Sequence, residues 1–333
     1  MPRLAANRTL GLSLLALACT GDPSPLPTGG GRDTNAPLPG ATFLGVEPDA
    51  GFGSAVALSG PLAWASAPHG AVAAVFELTG DAPAVETSGG GRLGASLSAH
   101  DGVLLWGAPL DGRAGLAGGD RPLVEAPSAG LAVDLGEDGW VIATGDGWEH
   151  ERSGRQRTSG RPASLAQGDG LVAAGMPLGA AMLQIGPLAI DREEDGDLAG
   201  YALGSGDVLG VGVSSWLVGA PGAGHVQVRD PSGLVLQAVL DPGLPSFGFA
   251  IAVADVDGDG LSDVLVGAPE ADGGRGTAAL YLGGALDQPA ARWSGDEFAD
   301  RLGFSVALGP GRILLGAPGG PGAPGKAHLI PYP

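Results

Sequence analysis

From residue 43 onward the chain alternates short apolar runs with turns rich in glycine and small polar residues. Each run is four to seven residues long and rich in Ala, Val, Leu and Ile, and Gly, Pro, Asp or Ser closes it. Runs of that length and bounding read as β-strands rather than helices. No helical period of useful length follows residue 20. The pattern then repeats. A small-residue start leads into an apolar strand, a turn, a second apolar strand ending in Gly-Ala-Pro, and another strand. Copies begin near Gly51-Phe-Gly, Leu93-Gly, Gly130-Leu, Ala163-Ser, Tyr201-Ala, Phe247-Gly and Leu302-Gly.

Prolines at 68, 109, 177, 221, 269 and 318 mark the copies, with Asp146 standing in for the third. The successive gaps are 41, 37, 31, 44, 48 and 49 residues. A fixed period of about 40 residues is the signature of a propeller blade of four short strands. The expected fold is therefore all-β: a seven-bladed β-propeller of four-stranded antiparallel blades. The last copy ends without a fourth strand, and Thr42-Phe-Leu-Gly-Val46 precedes the first copy with no blade of its own. The ring is expected to close by lending that N-terminal strand to blade seven, which removes an exposed edge. The 31-residue gap is short enough to cost the third blade a strand. The Gly and Ala of the marker are read as small residues where strands crowd toward the axis.

Copy six carries the one sharp chemical signal. Asp255, Asp257, Asp259 and Asp263 place four carboxylates within nine residues. Left bare at about 4 Å, such a pair repels by about 4 kcal/mol at an effective dielectric near 20. The spacing Asp-x-Asp-x-Asp-Gly-x-x-Asp suits a hard cation with oxygen ligands, the backbone carbonyl near Leu261 adding one more. Gly260 permits the sharp turn. An EF-hand is the rival reading, but its closing Glu position is Val266, and strands rather than helices flank the loop. Calcium (Ca2+) held by Asp255, Asp257, Asp259, Leu261 and Asp263 is the expectation; an acidic turn with no metal is the alternative.

Phe247-Gly248, the acidic loop and Gly267-Ala268-Pro269 together resemble an FG-GAP repeat of the integrin alpha-chain β-propeller. The resemblance spans about residues 42–333, strongest in copy six and weakest in copies three and four. It implies a structural calcium ion on the face opposite the loops that meet ligands. A partner-binding or adhesion module is the function it implies.

Composition adds a location. The net charge is −19, from 36 acids against 17 bases, which disfavours nucleic acid as a partner. Glycine and proline number 63 and 28, as many tight turns require. Arg3 and Arg8 precede a short apolar core, Leu10 to Ala18, too short to span a bilayer. Cys19 follows as the one cysteine, so no intramolecular disulfide forms. It resembles the lipidated cysteine of a bacterial lipoprotein. Residues 1–18 thus read as a signal peptide, 19–40 as a flexible Gly/Pro tether and 41–333 as the propeller. A cell-envelope lipoprotein, monomeric and held at the outer membrane or cell surface only by its lipid, is expected; secretion is the alternative. No catalytic constellation is visible among the five histidines or elsewhere. The functional expectation is a non-catalytic binder of a protein or glycan. The alternative is a secreted or periplasmic hydrolase or lyase using the central channel.

Overall fold

The computed structural model describes residues 15–17 and 40–333, apart from 71–72, 79–82, 88–91, 120, 180, 187 and 192–195. Seven antiparallel sheets form seven blades. Blade one is Val56–Ser59, Leu62–Ala67, Ala73–Glu77 and Pro83–Thr87. Blade two is Ser96–His100, Val103–Ala108, Arg113–Leu116 and Val124–Glu125. Blade three is Val133–Gly136, Gly139–Thr144, Gly147–His150 and Gly154–Arg157. Blade four is Ser164–Gly168, Leu171–Gly175, Ala181–Ile185 and Leu188–Asp191. Blade five is Ala202–Gly206, Ser215–Ala220, His225–Arg229 and Leu236–Leu240. Blade six is Ala250–Ala254, Asp263–Ala268, Thr277–Tyr281 and Ala291–Ser294. Blade seven is Ser305–Gly309, Arg312–Ala317 and Lys326–Pro331, completed by Ala41–Leu44.

The closing strand falls where the sequence places it. Ala41–Leu44 pairs antiparallel with Lys326–Pro331, Thr42 opposite His328. Leu15–Leu17 adds a fifth strand on its outer side. Cys19 and the tether up to residue 39 lie outside the described residues. The third blade, expected to lose a strand, keeps all four, because turns of two or three residues join its strands.

The first strand of each blade borders the central channel and contacts the first strands of its neighbours. Side chains on the blade faces fill the seven gaps, one apolar cluster to each. Between blades five and six, for example, Leu217, Val226 and Val228 meet Val264, Val266 and Tyr281. Burial of such side chains, at about 25 cal/mol per Å² of apolar surface, holds blade to blade.

The marker glycines have a different cause from axial crowding. Glycine of the Gly-Ala-Pro phrase in one blade packs against the carbonyl of the Phe-Gly-type glycine in the next. A Cβ on Gly107, Gly175, Gly219, Gly267 or Gly316 would fall on the carbonyl oxygen of Gly130, Gly200, Gly248, Gly303 or Gly53 respectively. The close approach is between neighbouring blades, backbone to backbone. Ser96, Ser164 and Ser305 tie the same joints, donating to the carbonyls of Gly130, Gly200 and Gly53 at 2.8–2.9 Å. Gly248 and its counterparts also sit at positive φ, +92° at Gly248, where a Cβ is strained.

Candidate metal centre

Blade six turns from its first strand to its second through residues 255–262, with Ala254 opposite Asp263 in the register. Five amides of this turn, those of Val256, Gly258, Asp259, Gly260 and Leu261, have carboxylate acceptors, and the Ser262 amide donates to the Asp207 carbonyl. The Asp255 carboxylate accepts the Gly258 and Gly260 amides at 2.7 and 2.9 Å. Asp257 accepts the Asp259 amide at 3.2 Å, and Asp259 accepts that of Leu261 at 2.8 Å. Gly258 and Gly260 adopt φ of +80° and +89°, which lets the loop curl around its own acids. Val256 is buried and pins the loop between the first two aspartates.

Asp263 is the floor of the loop. It is fully buried, and its two oxygens accept the Val256 amide at 2.7 Å and the Gly283 amide at 2.8 Å. That second bond reaches across to the segment after the third strand, so one carboxylate fixes both the loop and the blade. Burial raises its pKa, the two amides oppose the rise, and the charges of Asp257 and Asp259 add to it.

Carboxylate oxygens of Asp255, Asp257 and Asp263 all lie within 4.8 Å of one another. Oxygens about 2.4 Å from one calcium ion are at most about 4.8 Å apart, so these three fit a shared hard cation. The donor set is oxygen alone, and among the described residues no Lys or Arg pairs with any of the three. Of the residues expected from sequence, the structure brings Asp255, Asp257 and Asp263 together. Asp259 stands outside that group, and Leu261 enters through its amide, bonded to Asp259.

The channel holds polar groups that the repeat pattern did not single out. It opens on the face that carries this loop and encloses about 920 Å³. Asp134, Gln167 and Ser205 occupy equivalent places on the first strands of blades three, four and five, where blades six, seven and one carry Val253, Leu308 and Leu58. The signal in the sequence is the interruption itself, a polar side chain at one position of an otherwise apolar strand.

Residues 247–282, which hold the first three strands of blade six, match the FG-GAP repeat model. No curated protein matches the chain. Among solved structures, it is similar to selenomethionine-substituted virginiamycin B lyase from Staphylococcus aureus. The TM-score is 0.60 at 10% identity, covering 87% of this chain and 98% of that one. At that identity the likeness speaks for the propeller fold alone.

Proposed function

We propose that this chain is a non-catalytic cell-envelope lipoprotein whose propeller, stabilised by calcium in blade six, binds a protein or glycan partner. Asp255, Asp257 and Asp263 would hold the ion, with Asp259 and the Leu261 carbonyl available to complete the shell. The bound ion supplies positive charge to a loop that otherwise packs carboxylates together. Its role is to stiffen the turn, because Asp263 links that turn to Gly283 and thereby to the third strand.

An aromatic arc on the opposite face carries the binding half of the proposal. Tyr201, Phe249 and Phe304 precede the first strands of blades five, six and seven. Their rings meet at 4.7 and 4.9 Å and stay half-buried. Tyr201 and Phe249 border a pocket of about 600 Å³ that also contains Asp241 and Glu270. Half-exposed rings beside hydrogen-bond acceptors suit a protein side chain or a sugar ring.

Two measurements test the two halves. Thermal unfolding with calcium and with chelator should show a higher melting temperature in calcium. Replacing both Asp257 and Asp259 by Ala should abolish the rise. Glycan and surface-protein arrays probed with wild type and Tyr201→Ala, Phe249→Ala should show a partner that the double variant loses. Calcium-independent melting refutes the ion, and hydrolase or lyase turnover by the purified chain overturns the non-catalytic reading.

A further inference from the structure

The wall of the central channel is unequal. On blades two to five it carries Ser98, Asp134, Gln167 and Ser205; on the far side it is built from Leu58, Ile251, Val253 and Leu308. The polar side is rich in acceptors and poor in donors. The Asp134 carboxylate accepts the Ser98 hydroxyl at 3.4 Å and the Gln167 amide at 3.3 Å, both long bonds. Gln167 turns its remaining amide hydrogen-bonding capacity to the Asp134 and Gly139 carbonyls. Its Oε1 and the Ser205 Oγ are buried and have no hydrogen-bond partner among the described residues. Burying a polar oxygen without a partner is costly, and a structure retains one where something else satisfies it.

Charge has the same bias. Asp101, Glu137, Asp138 and Asp169 line the mouth, against the Arg312 guanidinium and His100. His100 is beside Asp101 at 3.6 Å, Asp138 is paired with Arg152, and Arg312 is bonded to the Pro61 carbonyl. Asp134, deeper in, has no cationic partner among the described residues. Although the residue keeps contact with the channel, protein surrounds its carboxyl, and burial raises its pKa while the Gln167 and Ser98 hydrogen bonds oppose the rise. An acidic mouth concentrates cations, and a walled site of low dielectric strengthens the contact once the ion is inside.

We propose that the channel takes a small organic cation, an ammonium group on an apolar body, with Asp134 as its counter-ion. The ammonium has three donors for the Asp134 carboxylate, Gln167 Oε1 and Ser205 Oγ, and the body lies against Val253 and Leu308. Small shifts of the Gln167 and Ser205 side chains bring their oxygens to the ligand. This site is separate from the blade-six loop and from the aromatic arc, so it stands or falls independently of both.

Calorimetric titration of the full chain with n-hexylammonium, and with n-hexanol as its uncharged counterpart, tests the proposal. Hexylammonium should bind at one per chain, and hexanol at least tenfold more weakly. Asp134→Asn, which keeps shape and removes charge, should weaken hexylammonium at least tenfold with its near-ultraviolet circular dichroism unchanged. Gln167→Leu should weaken it severalfold. Absence of saturable binding overturns the proposal. So does equal affinity for hexanol, which needs no variant, or undiminished affinity in a folded Asp134→Asn protein.

Discussion

Acidification should loosen the seam where the ring closes, and His328 sets the amount. His328 lies on the third strand of blade seven, 2% exposed, with Nδ1 hydrogen-bonded to the Thr42 hydroxyl at 3.0 Å across to the closing strand. Burial, with a smaller contribution from Lys326 and against the pull of Asp300, lowers its pKa from 6.5 to about 4. The folded protein therefore holds this ring neutral where the unfolded chain protonates it. Stability is present above pH 6.5 and is lost as pH falls toward 4, because the unfolded state binds more protons across that window. The full difference, about 2.5 pKa units, corresponds to about 3 kcal/mol, of which about 2 kcal/mol is gone by pH 5. Melting curves of wild type and His328→Gln at pH 7.5, 6 and 5, all in chelator, isolate the effect. Asp263, Asp134 and Asp296 have raised pKa values and push the other way, gaining stability as pH falls. They are common to both proteins and cancel in the difference. Wild type should lose a few degrees more than the variant between pH 7.5 and 5. Parallel pH slopes in the two proteins would falsify the assignment of the neutral ring to the seam.

Three other substitutions probe the joints between blades. Gly267→Ala puts a Cβ on the Gly303 carbonyl, so blades six and seven must separate; a loss of about 3 kcal/mol or more in denaturant unfolding is expected, and a loss under about 1 kcal/mol contradicts the packing. Lys326, the one lysine of the chain, bonds Asp300 at 2.9 Å with its side chain 16% exposed and Asp300 nearly buried. Lys326→Met leaves that carboxylate without its cation and should cost about 3 kcal/mol in the same assay, whereas a neutral result shows the pair to be dispensable. Leu198 sits at φ +57°, in the place occupied by Ser246 and Arg301 before the corresponding glycines. Leu198→Gly relieves the left-handed strain and should raise stability by about 1 kcal/mol in denaturant unfolding, and a loss of stability there refutes the strain.

The blades were legible because their information is local. Strand length, turn residues and the marker phrase recur every 31 to 49 residues, and each hairpin is encoded within its own copy. A last copy short of its fourth strand also dictated how the ring closes, and Thr42 does lie opposite His328. The acidic loop was readable for the same reason, since four carboxylates and two glycines within nine residues can only fold back on one another. Tertiary structure decided what meets across blades. It assigned the marker glycines to the contact between neighbours, selected Asp255, Asp257 and Asp263 from the acidic run, and kept the third blade whole. Asp134 shows the limit most plainly. In sequence it is one acid in a short apolar run; in the ring it faces Gln167, 33 residues away, at a depth fixed by strand register and blade twist. Periodicity states which residues share a face, whereas the partner of each face depends on how seven sheets pack around an axis, and no single repeat contains that.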